Sequence, residues 1–238
     1  MKTIKICACV LALVLAGCAS SPKPMTITQV PEAELYRIEE SKFDRFVVSD
    51  PQKITGYNKV MLFPMQFDRL TISKGADKEL FDSWMESDWK QMDYLCQQFD
   101  DLAKKIFSES KDFKPTTKGG EDVLAIEFRL IRFFPYAKPY HQMSMETVGT
   151  STNFEGLGEV EIQAVLANAK TGELVAVIED WVALTGGSYG LMRRRIDNNA
   201  DSNSRTAQNM AWRTAFREWN TNLYRELVAL KAQEAAKD

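Results

Sequence analysis

The chain has 238 residues, of which 45% are hydrophobic and 26% charged, enough apolar material for one sizeable core or at most two small ones. Lys and Arg number 30 against 33 Asp and Glu, a net charge of −3, and this mild acidic excess excludes a general nucleic-acid binder, which is basic over its domain. One histidine in the whole chain leaves too few nitrogen ligands for a His-based zinc site.

The first segment, MKTIKICACVLALVLAGC, places Lys2 and Lys5 ahead of an apolar run from Ile6 to Ala16 that closes on small residues. This is the layout of a secretory signal, residues 1–17. The run is too short to span about 30 Å of hydrocarbon, so it is an export segment and not an anchor. Its end, Leu15-Ala16-Gly17-Cys18, resembles the bacterial lipobox. That resemblance implies a diacylglycerol on the Cys18 thiol, cleavage before it, and acylation of the new amino group. Two or more acyl chains hold a protein on a membrane where one does so only marginally. By the sorting rule that accompanies the resemblance, Ala19 in place of Asp implies the outer membrane, on its periplasmic leaflet. Cys7 and Cys9 leave with the signal and Cys18 is taken by lipid, so Cys96 stands alone and no intramolecular disulfide can form.

Residues 18–34, the lipidated cysteine followed by a stretch rich in Ser and Pro, are expected to be a flexible tether. Residues 35–56, with Pro51 and Gly56, suggest an irregular lead-in. Tyr57 to Phe67 reads as a nearly continuous apolar strand, interrupted at Pro64, where an edge or bulge is expected because proline lacks a ladder donor. From Asp77 to about Glu109 the period becomes helical, with Leu80, Trp84, Met92, Leu95, Phe99, Leu102 and Ile106 on one stripe. The pattern fits one long helix or two with a bend near Asp93. Cys96 falls on that stripe and reads as a buried structural thiol.

Asp122 to Phe134 alternates as a second strand. Gly158–Asn168 and Glu173–Leu184 follow as a third and fourth, joined through Gly172 as a hairpin. In the third, Val160, Ile162, Ala164 and Leu166 oppose Glu159, Glu161 and Gln163, which predicts a sheet with one solvated face. The last element has Trp212, Phe216, Trp219, Leu223, Leu227 and Leu230 on one stripe and Arg213, Arg217, Glu218 and Arg225 off it. The fold expected is a single α+β domain over 35–232. It is a two-layer sandwich of a mostly antiparallel four-stranded sheet with two long amphipathic helices on one face, and residues 233–238 fray.

Enzyme signatures are sparse, and no catalytic residue, metal ligand set or cofactor is assigned. His141 has no serine elbow to serve. Gly186-Gly187-Ser188-Tyr189-Gly190 lacks the Lys-Ser/Thr ending of a phosphate loop. Glu159, Glu161, Glu179 and Asp180 read as solvated charges and not as a cleft pair for glycoside hydrolysis. Two contact sites are expected instead. The cluster Arg193-Arg194-Arg195 suits an anionic surface or an acidic partner, because guanidinium forks match phosphate and carboxylate. The loop 136–158 carries Tyr136, Tyr140, His141, Met143 and Phe154, residue types enriched at interfaces.

The lipobox, the Pro-rich tether, the strand Tyr57-Asn58-Lys59-Val60-Met61-Leu62-Phe63-Pro64-Met65, the helix after it, the strand Asp122 to Leu130 and the Trp-bearing last helix together resemble the lipoprotein family known as domain of unknown function 3313. The resemblance covers roughly residues 35–230 and brings no catalytic residues. The function expected is that of a lipid-anchored, non-enzymatic envelope protein acting through contacts with a protein partner. A module binding an envelope ligand such as peptidoglycan or a small molecule is the alternative.

Overall fold

Along Val123–Pro135, Leu124, Ile126, Phe128 and Leu130 fall on one side of the pleat and Glu127 and Arg129 on the other, so this one strand has a dry face and a wet one. The computed structural model describes residues 27–30, 35–74, 78–86, 90–139, 157–184 and 205–237, and the statements that follow concern these. In chain order the strands are β1 (Ile27–Val30), β2 (Leu35–Ile38), β3 (Arg45–Val48), β4 (Lys59–Leu62), β5 (Thr71–Ile72), β6 (Lys114–Pro115), β7 (Val123–Pro135), β8 (Gly158–Asn168) and β9 (Leu174–Ala183). The helices are α1 (Lys78–Met85), α2 (Lys90–Ser108) and α3 (Arg205–Ala235), and a 3₁₀ helix covers Pro51–Gly56.

The nine strands form one mixed sheet in the order β1-β2-β3-β9-β8-β7-β4-β6, with β5 pairing farther along β7. β7, β8 and β9 are antiparallel, whereas β4 and β5 run parallel to β7 and β6 runs parallel to β4. The expected mostly antiparallel four-stranded sheet with two long helices is therefore overturned. Two physical causes account for it. The stretch 35–56 holds two strands of four residues each, too short for a period-2 pattern to emerge, and Ile27–Val30, within the stretch read as a tether, pair with β2. The parallel pairing arises because the chain passes through α1 and α2 between β4 and β7, and such a crossover returns it in the same direction.

The helical stripe read between 77 and 109 is divided into α1 and the longer α2. β4 ends at Leu62, just before Pro64, and the chain beyond it is held by a side chain: Met65 N–H donates to the Asp100 carboxylate of α2 at 2.9 Å. The strand expected over Tyr57 to Phe67 is thus confined to Lys59–Leu62, and beyond the proline, which lacks a ladder donor, Gln66 rejoins β7 by a single bridge to Arg129.

All three helices cover the face that carries Phe128 and Phe133. Trp84 of α1 meets Phe133 edge-on with centroids 4.7 Å apart, Phe99 of α2 meets Phe128 at 4.9 Å, and Trp212 and Trp219 of α3 reach Phe133 and Phe128. Phe133 joins this face because the register shift between Leu130 and Arg132 reverses the parity of the strand. Aromatic rings in edge or tilted contact add to the area they bury, and this row is the centre of the core. Trp84 also satisfies its indole N–H on the Ala137 carbonyl at 2.7 Å, joining α1 to the exit of β7. α3 runs to Ala235 with Glu234 only 3% exposed, so the helix continues past the predicted start of fraying at 233. Near its end, Lys231 Nζ donates to the carbonyls of Tyr57 and Asp112 and lies 4.9 Å from the centre of the Phe113 ring.

Candidate functional site: an open sheet face and a basic recess

The face of the sheet opposite the helices presents two cross-strand rows, each set by register. In the first, Arg132 of β7, Glu161 of β8 and Trp181 of β9 are consecutive partners. Arg132 Nε donates to Glu161 at 2.5 Å, and its guanidinium stands 5.3 Å from the centre of the Trp181 ring, which is 37% exposed. In the second, Arg45 of β3, Glu179 of β9 and Gln163 of β8 are partners, with Glu179 accepting from Arg45 Nη1 at 2.8 Å and from Gln163 Nε2 at 2.7 Å. Burial pushes the Glu179 carboxyl up, but the Arg45 and Gln163 bonds outweigh it and hold the group below the usual carboxylate range. Arg129 closes a two-point pair on Glu127 in the same strand. Next to the rows, Phe134 and Tyr136 make an edge contact at 5.5 Å, and Tyr136 is 39% exposed.

These charges therefore pair with one another in place and form a preorganised surface of guanidinium, carboxylate and aromatic groups. The arrangement orders the side chains: Glu161 accepts from Arg132, and Glu179 is held ionised by Arg45 and Gln163. Trp181 was reachable from the sequence, since it shares parity with Glu179 on an alternating strand. Its pairing with Arg132 was not, because that requires the register of three strands.

On the helix side a second cluster forms where the turn between β2 and β3 meets α3. Glu226, 5% exposed, accepts from Ser41 Oγ and from the Lys42 N–H, each at 2.6 Å. Phe43 packs its ring 5.4 Å from Trp219. Asp180 of β9 accepts from the Asp44 N–H at 3.3 Å, and Asp44 in turn accepts from the Trp181 N–H at 2.9 Å. Burial pushes the Asp180 carboxyl up to about 7, the Asp44 N–H opposes this, and the charges of Asp44 and Glu226 add to it. Beside this turn, Lys42, Arg217, Glu218, Thr221, Asn222 and Arg225 line a recess of about 350 Å³. None of its three cations closes an ion pair among the described residues.

Of the residues singled out in the sequence, Tyr136 stands at the edge of the open face. Tyr140, His141, Met143, Phe154 and the cluster Arg193, Arg194 and Arg195 lie outside the described residues, as does Cys18. Cys96 is buried, and burial, followed by the charges of Asp100 and Asp93, pushes its thiol up to about 12, which makes it a poor nucleophile. Among the described residues no group of three or more His, Cys, Asp or Glu is placed to hold a metal ion, and no helix is long and apolar enough to cross a membrane.

No family model matches the chain, and no curated protein matches it. Solved structures similar to it include protein XCC0632 from Xanthomonas campestris, described under the family model DUF330, at 13% identity and a TM-score of 0.41 over 76% of this chain and 88% of that one. A PelC dodecamer from Paraburkholderia phytofirmans is similar at 8% identity and a TM-score of 0.33, over 71% and 87%. The hypothetical protein CT253 from Chlamydia trachomatis is similar at 7% identity and a TM-score of 0.32, over 74% and 99%.

Proposed function

We propose that the chain is a lipid-anchored protein of the bacterial envelope, a relative of the domain of unknown function 3313, held through Cys18 on the periplasmic face of the outer membrane. It works without catalysis, by docking an envelope protein on the open face of its sheet. The observation that supports the docking is the Arg132–Glu161–Trp181 row. An exposed indole under a guanidinium already fixed by a carboxylate offers a rigid anchor, and Trp and Arg dominate the energetics of protein interfaces. The Leu15-Ala16-Gly17-Cys18 sequence supports the anchor.

A photo-crosslinking amino acid at position 181, introduced in cells, is expected to trap one discrete protein, and Arg132→Ala with Trp181→Ala is expected to abolish co-purification of that protein. Retention of the chain on purified cell-wall polymer, lost on Trp181→Ala, would instead establish the ligand-binding alternative. Absence of both a trapped protein and polymer retention would sink this use of the face. The mass of the purified chain tests the anchor separately, since a Cys18 without diacylglyceryl refutes it.

A further inference from the structure

We propose that the recess lined by Lys42, Arg217, Thr221 and Arg225 takes phosphate headgroups of the membrane beside which the domain is tethered, and thereby sets the domain's orientation on that membrane. The proposal rests on the lipid-anchor reading of Cys18 for the identity of the membrane, and on four observations for the site itself.

The first is charge. Lys42, Arg217 and Arg225 face one recess, Glu218 is the one carboxylate among its lining residues, and none of the three cations is ion-paired among the described residues. Elsewhere on the described surface the arginines of the open sheet face are each paired with a carboxylate. Unpaired guanidinium forks in a concave site suit phosphate oxygens, which they can bind in a bidentate manner.

The second is placement along the helix. Arg213, Arg217, Thr221 and Arg225 recur at four-residue steps and so lie along one face of α3. Arg217 and Arg225 are two turns apart, about 12 Å of rise, which gives the stripe room for more than one anionic group. The recess, of about 350 Å³, is open to solvent, so a headgroup can enter it from the bilayer surface.

The third is preorganisation. Lys42 is not on a free turn: its own N–H and the neighbouring Ser41 hydroxyl are both held by Glu226, and Phe43 is packed on Trp219. The lysine's backbone is therefore fixed to the same helix that carries the two arginines, and little chain entropy remains to be lost on binding.

The fourth is where the chain enters the sheet. Ile27, the first residue of β1, is the partner of Ile38, the last residue of β2, and the turn that holds Lys42 follows directly. Cys18 precedes Ile27 by nine residues, so covalent geometry keeps the lipid within about 30 Å of that end of the sheet. The recess therefore lies beside the end of the sheet at which the described chain enters it.

The test uses the full chain as purified, reconstituted into vesicles of phosphatidylethanolamine and phosphatidylglycerol, with a photo-crosslinking amino acid at Asn222 or at Trp181. Phospholipid adducts are expected at 222 in excess over 181. They should fall by about fivefold or more with Arg217→Gln/Arg225→Gln, and hold level with the charge-matched Lys114→Gln/Lys118→Gln at the opposite end of the sheet. Equal lipid labelling at the two positions, or an equal loss with the control pair, would overturn the proposal, as would a protein adduct at 222 in place of lipid. Intact mass reports Cys18 independently: an unmodified cysteine refutes the anchor, while the adduct ratio still decides the recess.

Discussion

Glu226 and Ser41, 185 residues apart in the chain, meet at 2.6 Å, and the other carboxylate oxygen of Glu226 takes the N–H of Lys42. This one carboxylate fixes the turn between β2 and β3 onto α3, and both surfaces described above depend on that turn, since Lys42 lines the recess and Asp44 holds the Trp181 backbone. Glu226→Ala leaves two donors without their acceptor in a half-buried setting and is expected to cost about 2–3 kcal/mol, with Ser41→Ala costing about 1 kcal/mol. Equilibrium urea unfolding of the two variants measures both, and a loss for Glu226→Ala no larger than that for Ser41→Ala would show that the Lys42 bond contributes nothing.

Asp180 imposes a pH dependence of known sign. Its carboxyl lies at about 7 in the folded chain against 3.8 for a free side chain, so between these values the folded state keeps a proton that the unfolded state has released. Stability attributable to this group therefore falls as pH rises from about 4 to about 7 and is level above that. Asp180→Asn, which retains an acceptor for the Asp44 N–H, should flatten this part of the profile. Unfolding midpoints at pH 5 and pH 8 for both proteins decide it: equal slopes would contradict the assignment.

Gly158 opens β8 with φ at +146°, and a Cβ there would come within 2.2 Å of the Phe134 carbonyl oxygen. That atom belongs to the paired strand and cannot move aside without breaking the β7–β8 ladder. Gly158→Ala is expected to destabilise the fold by about 3 kcal/mol, whereas Gly172→Ala, whose Cβ meets nothing within 4 Å, should show only the smaller cost of its positive φ. Thermal unfolding of the pair gives the comparison.

Cys96 should resist alkylation. With its thiol pushed up to about 12 and its side chain buried, iodoacetamide at neutral pH should leave the Cys96 peptide unmodified in the native chain and label it fully in denaturant. Peptide mapping by mass spectrometry reads the outcome, and rapid native labelling would contradict the burial.

The Arg132–Glu161–Trp181 row should matter for binding and little for folding. Arg132 is half exposed and its pair with Glu161 lies at the surface, where such pairs contribute about 0–1 kcal/mol. Trp181→Ala and Arg132→Ala are thus expected to unfold within about 1 kcal/mol of the parent while losing the crosslinked partner. A larger loss of stability would assign the row a structural role.

Much of the central architecture was legible. β8 alternates through Leu166 and β7 up to Leu130, and although the shift beyond Leu130 that brings Phe133 onto the core face leaves no such trace, a period of two over such a length says which side chains face the core. The same holds for the Trp212, Phe216, Trp219 and Leu223 stripe, whose four members are all buried. The edge of the sheet was not legible. β1, β2 and β3 are four residues each, and their pairing is decided by contact with β9 and by Glu226 gripping the turn, neither of which leaves a periodic trace. The recess was hidden for the same reason: the four-residue spacing of Arg213, Arg217 and Arg225 is visible in the sequence, but Lys42 comes from 170 or more residues away.

The sequence by itself determined the apolar core of this protein and the two-faced character of its central strands, because each of these is a local pattern enforced by backbone geometry. Only the tertiary structure decided that the sheet is mixed and nine-stranded, that Arg132, Glu161 and Trp181 form one row, and that Ser41 and Lys42 are locked to Glu226. Those outcomes depend on register and long-range packing, in which residues far apart in the chain compete for the same partners, and such competition is settled only when the whole fold has closed.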